Sequence, residues 1–248
     1  SPSDGERVAG RRVRGGPPPQ YWELWREECE LADRIVVNSE WSRECLSRAG
    51  VSREKVRVIP LAYEPAAASQ ALQPDFPVRF DATRPLRLLF VGQVTYLKGI
   101  IPLLEAMREL ATQPVELTIL GTVGCDVPAP LRSLPSVRWA GAVPRGQVGE
   151  FYRAANALVF PSFCDGFGLV QLEAQAHGLP VIASRHCGAV VADGVNGLLL
   201  PEVSATAISS AVRRCIEEPG LLTRLAANSR VEERFSLRSV GDQLLSVF

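Results

Sequence analysis

Lysine is scarce in this sequence: only Lys55 and Lys98 occur in 248 residues, and every other basic side chain apart from two histidines is arginine. The position of each lysine therefore carries more weight than usual. No charge is in excess, since Lys+Arg and Asp+Glu each total 27, and this argues against nucleic acid or a strongly anionic surface as partner. Six cysteines, at 29, 45, 125, 164, 187 and 215, contain no Cys-x-x-Cys spacing, so no structural zinc site is expected. Reduced cysteines in a chain of this size suit the cytoplasm. No stretch reads as a signal peptide, and apolar runs such as Leu88 to Val91 and Leu198 to Leu200 fall far short of the roughly 20 residues of a membrane span. Peripheral membrane contact is compatible with this composition. No Asp-x-Asp pair is present to hold a metal, so none is expected. A Rossmann dehydrogenase would need Gly-x-Gly-x-x-Gly between a strand and a helix. Gly92 lacks those partners, and the turn from Gly121 to Gly124 runs into Pro128 and Pro130.

What is present centres on residues 157–184, ALVFPSFCDGFGLVQLEAQAHGLPVIAS. Ala157 to Phe160 and Pro180 to Ala183 are short uninterrupted apolar runs, the pattern of strands buried on both faces. A helix from about Gly168 to Ala176 separates them, stopped by Gly178 and Pro180, so the two strands should be parallel with a crossover helix. Leu169, Leu172 and Ala176 are expected to form its buried stripe. Glu173 then lies on or beside that stripe, where a carboxylate needs a partner. Asp165 sits in the preceding loop with seven residues between the two acids. That loop leaves the carboxyl end of a parallel strand, where open α/β sheets bind ligands, and the amides from Gly166 to Leu169 would favour an anion. A capping Asp and a solvated Glu would account for the same spacing without any ligand.

The run of acid, Gly-Phe-Gly, four residues, Glu-Ala-x-Ala-x-Gly-x-Pro-Val resembles the signature of the GT4-type retaining glycosyltransferases, which have the two-domain GT-B fold. Their motif is usually Glu, seven residues, Glu; here Asp165 takes the first place with a side chain one methylene shorter. The resemblance implies that Asp165 and the segment Gly166, Phe167, Gly168, Leu169 and Val170 meet the donor sugar, and that Glu173 holds the ribose hydroxyls of the nucleotide. A second stretch, RLLFVGQVTYLKG, is similar to the family's Gly-Arg, four residues, Lys-Gly, whose two cations reach the donor diphosphate. Gly92, Lys98 and Gly99 fit it. Gln93 replaces the arginine, which leaves an amide donor in place of a charge. The family further implies that Gly141 to Val143 packs on the base, with Val143 a donor-binding residue. Lys98 and Asp165 are the residues expected to act in catalysis.

The rest of the chain is ordered around these stretches. SPSDGERVAGRRVRGGPPPQ (1–20) reads as a flexible segment. Helix Tyr21 to Asp33, strand Arg34 to Asn38, a helix capped by Ser39 with Trp41, Cys45 and Leu46 inward, and strand Lys55 to Ile59 resemble the end of the family's N-terminal domain (21–63). The earlier strands of that domain are absent, so the chain is expected to be truncated, or completed by a second chain. An Ala-, Pro- and Asp-rich interdomain connection (64–85) leads to a nucleotide-sugar-binding domain (86–248). Its elements should be a strand Leu86 to Val91, an inward-facing helix with Ile101, Leu104 and Met107, and a strand Val115 to Leu120. Strand Val137 to Ala140, helix Pro144 to Ala155, strand Leu198 to Leu200 and helix Ser204 to Glu217 follow. His186 is placed to touch a ligand, whereas His177 reads as structural. The expected fold is α/β, a Rossmann-like parallel sheet flanked by helices with a truncated N-terminal α/β portion. The implied activity is transfer of a sugar from a nucleotide-diphosphate donor, used as co-substrate without a cofactor, to an unidentified acceptor. The rival is a module that binds nucleotide sugar without turnover.

Overall fold

The computed structural model describes the backbone at 7–8 and 11–12 and residues 17–65 and 76–247 in full. Most of the expected flexible segment lies outside the described residues, as does 66–75 of the expected connection. Strands β1 (Arg7–Val8) and β2 (Arg11–Arg12) pair antiparallel. Helix α1 (Pro19–Leu31) begins two residues before the expected start because Pro19, with no N–H to lose, sits in its first turn. It buries none of its residues. Strand β3 (Ile35–Val37) pairs in parallel with β4 (Val56–Val58) across helix α2 (Glu40–Arg48). Ser39 caps α2 by accepting from the amide of Ser42 at 3.0 Å. The inward face expected for Trp41, Cys45 and Leu46 is only half-buried, because a two-stranded layer is too narrow to cover it.

The body of the molecule is a six-stranded parallel sheet. In chain order its strands are β5 (Leu86–Val91), β6 (Val115–Leu120), β7 (Val137–Gly141), β8 (Ala157–Phe160), β9 (Val181–Ala183) and β10 (Gly197–Leu199). In space they run β10-β9-β8-β5-β6-β7. The connecting helices are α3 (Ile100–Glu109), α4 (Ala129–Arg132), α5 (Arg145–Ala154) and α6 (Val170–Ala176), and α7 (Ala205–Glu217), α8 (Leu221–Ala226) and α9 (Leu237–Leu245) follow. Helices cover both faces, so alternate residues of one strand enter different cores. Leu86, Leu88 and Phe90 of β5 pack with Ile100, Leu103 and Leu104 of α3 and Val212 of α7. Leu89 faces the other way, toward Leu158, Phe160 and Tyr152. Ala157 and Val159 join the first core, Leu158 and Phe160 the second.

The chain lays down β5, β6 and β7 in one direction, returns to the other side of β5, and continues outward through β8, β9 and β10. The order therefore reverses between β5 and β8, where connections on opposite sides leave a crevice at the carboxyl ends of the strands. Among the described residues, no helix is long and apolar enough to cross a membrane.

Candidate active site

The loops that follow β5 and β8 meet at this reversal. The amide of Phe163 donates to the carbonyl of Leu97 at 2.8 Å. Gly99, at φ +70°, lies so close to the second loop that a Cβ would come within 1.9 Å of the Pro161 carbonyl oxygen. Only glycine combines that conformation with that approach. The contact brings Lys98 against Asp165, and their side chains form an ion pair of which Asp165 is the more buried member. The Lys98 ammonium also stands 5.3 Å from the centroid of the Phe160 ring. The Asp165 carboxylate accepts from the amide of Phe167 at 3.1 Å, and the Asp165 amide donates to the carbonyl of His186 at 2.9 Å. Two residues 67 positions apart thus share one partly dry crevice.

The loop before α6 runs longer than expected. Gly168 has φ +79°, and a Cβ there would meet the Phe160 ring at 2.6 Å, so the backbone turns before it can coil. The helix starts at Val170, not Gly168, and Leu169 becomes the residue before its first turn. Leu169 is therefore exposed, which corrects its place in the buried stripe; Leu172 and Ala176 are buried. Phe167 points into a small core with Leu172, Val190 and Phe235, leaving only its backbone at the crevice. Gly166 is exposed and backs onto the Asn38 side chain, and the Ser42 hydroxyl is 3.4 Å from its carbonyl oxygen. Val170 and Val143 are half-buried against the second core.

Glu173 has the partner it needs. The Tyr152 hydroxyl donates to Oε2 at 2.8 Å, and the Tyr152 ring stacks on His177 with centroids 5.2 Å apart. Burial, and next the negative charge of Glu173, raise the Tyr152 phenol far above its ordinary pKa. Burial, and next Arg153, lower that of His177, as suits a structural ring. Tyr63, on the stretch after β4, also feels Glu173, which together with the larger effect of burial raises its pKa; Arg145 opposes both. Sequence reasoning flagged the need for a partner to Glu173 but missed Tyr152, because no spacing ties α5 to α6.

Gly92 has φ +133°, and the neighbouring Gly121 must be glycine too, since a Cβ there would lie 2.0 Å from the Gly92 carbonyl oxygen. The Gln93 side chain lies over Gly124, whose Cβ would come within 2.9 Å of its amide nitrogen. The structure thus places Gln93 on the β6 side of the crevice, with no hydrogen bond to Lys98 or Asp165 among the described residues. His186 does face the crevice loop, but its ring packs on Trp41 of α2 with centroids 4.5 Å apart.

A paired cation and acid at the reversal point of a parallel α/β sheet, with a second acid on the following helix, stand where sheets of this kind bind ligands. Residues 85–218 match the family of Glycosyl transferases group 1, and the chain belongs to that family. D-inositol 3-phosphate glycosyltransferases of Kineococcus radiotolerans and Nocardiopsis dassonvillei are 32% and 30% identical over 88% and 89% of the chain. The chain spans 57% of the length of each. Among solved structures, sucrose-phosphate synthase from Thermosynechococcus elongatus superposes with a TM-score of 0.70 at 28% identity, covering 95% of this chain and 63% of that one. Anabaena HepE, solved with UDP and glucose, has the same fold, with a TM-score of 0.71 at 20% identity and coverage of 93% and 68%.

Proposed function

We propose that this chain provides the donor-binding part of a retaining glycosyltransferase that takes a sugar from a nucleoside-diphosphate donor. The observation that carries this reading is the Lys98–Asp165 pair at the point where the strand order reverses, with Glu173 held by Tyr152 on the adjoining helix. The donor diphosphate draws Lys98 from Asp165, and the freed carboxylate, with the backbone from Gly166 to Leu169, meets the sugar. Glu173 accepts from the ribose, and Val143 borders the base. Transfer with retention proceeds through an oxocarbenium-like state while the diphosphate departs. Lys98 and the amide of Gln93 stabilise the charge that grows on it, a role that needs donors set in place beforehand. The donor is a co-substrate, and the reading calls on no cofactor besides it.

The domain reading follows: 21–63 closes an N-terminal domain, 64–85 connects, and 86–248 binds donor, in a cytoplasmic protein. Asn38, Trp41 and Ser42 already reach the Gly166–His186 side of the crevice, so the acceptor approaches from there. Nucleotide-sugar binding without turnover is the second reading. It is favoured by Gln93 in place of a cation.

Calorimetric titration with UDP, GDP and ADP tests the site. One nucleotide is expected to bind saturably, and Lys98→Ala to weaken it by about tenfold, or ~1.4 kcal/mol. A folded chain that binds none of the three refutes the proposal. Release of free nucleotide from the matching nucleotide sugar separates turnover from binding alone.

A further inference from the structure

Tyr152 is almost wholly buried, and its hydroxyl donates at 2.8 Å to Oε2 of Glu173, which is itself only half-buried. The other acceptor nearby, the Val170 carbonyl, stands at 3.5 Å, so the single phenolic proton goes to the carboxylate. Among the described residues no hydrogen bond engages Glu173 Oε1. One oxygen of the acid is thus tied down from inside the protein and the other is left for a visitor.

We infer that Tyr152 is a positioning residue of the nucleotide site: by holding Oε2 it fixes the Glu173 carboxylate so that Oε1 accepts from the ribose hydroxyls of the donor. The inference rests on the donor-site reading above and adds a residue that no motif marks. Three features suit Tyr152 to the task. Its raised pKa keeps the proton on the phenol through any working pH, so it is a donor to Glu173 and never a competing anion. The ring is clamped, stacked on His177 with an interplanar angle of 13°, which fixes where the hydroxyl points. His177 has a lowered pKa and stays neutral near pH 7, so it adds no cation to draw the carboxylate aside. The other ionisable groups whose charge couples to this cluster are Tyr63 on the stretch after β4, Arg145 at the start of α5 and Arg153 in its last turn.

A merely structural Tyr152, stapling α5 to α6, would support every ligand of the crevice alike. The test therefore compares the nucleotide found by titration with its 2′,3′-dideoxy form, on wild type and on Tyr152→Phe. The variant is expected to lose about tenfold in affinity for the ribose form, the size of one hydrogen bond to a charged group, and less than about twofold for the dideoxy form. Equal losses on both ligands, or no loss on either, overturn the inference while leaving the donor site standing. A wild type that binds neither ligand overturns both. Should Tyr152→Phe not fold, His177→Ala keeps the hydroxyl and removes its clamp. A selective loss of about threefold on the ribose form is then expected, and an unselective one overturns the inference.

Discussion

The two parallel sheets of this chain use the same grammar of strand, helix and strand and end in opposite states. In the six-stranded sheet, β8 and β9 are buried at every position; in the two-stranded sheet, β3 has no buried residue and β4 has one, Val56. Apolar side chains dominate the strands of both, so composition does not separate them. Layer number does. Helices α3, α5, α6 and α7 cover both faces of the large sheet, whereas α1 buries nothing and leaves Trp22, Leu24 and Leu31 exposed. The candidate site is built on the covered sheet, where the close backbone approach at Gly99 brings Lys98 to Asp165 and Tyr152 holds Glu173. The open sheet contributes Asn38, Trp41 and Ser42 along one side.

The contrast is sharpest at the glycines. Gly121→Ala forces a left-handed backbone onto a residue whose Cβ would strike the Gly92 carbonyl, and it should cost at least about 4 kcal/mol in denaturant unfolding. Gly50→Ala in the open portion has φ +94° but free space, and should cost about 1 kcal/mol. Similar costs at both sites would show that the two portions are equally tight. Deleting apolar atoms probes the same difference less severely. Leu104→Ala, fully buried in α3, should lose about 3 kcal/mol, against at most about 0.5 kcal/mol for the exposed Leu24→Ala. A large loss for Leu24→Ala would mean that α1 is covered in solution.

The sheet was legible in the sequence because uninterrupted apolar runs such as ALVF and LLFV have few uses besides a doubly covered strand. The ion pair was not legible: the resemblance put Lys98 and Asp165 at one donor site, on its diphosphate and its sugar, without pairing them. Spacing alone relates Asp165 to Glu173, but nothing local brings Lys98 to Asp165 across 67 residues. Leu169 was misplaced because helical periodicity was extended through Gly168, where the Phe160 ring dictates a left-handed turn instead. Tyr152 was invisible as a partner because the contact between α5 and α6 is made by the sheet order, which one chain read in sequence does not display. Lysine scarcity, by contrast, was informative. Lys98 pairs with Asp165, and Lys55 donates to the Glu30 carbonyl at 2.7 Å, a cation closing the last turn of α1.

Hydrogen exchange of the whole chain with and without nucleotide tests most directly where the ligand sits. Protection is expected to rise in peptides spanning 92–99 and 165–173 on adding UDP, or whichever nucleotide binds, while β3 and β4 stay fast and unchanged. Protection gained only in the N-terminal portion, or nowhere at saturating nucleotide, would contradict a donor site at the ends of β5 and β8.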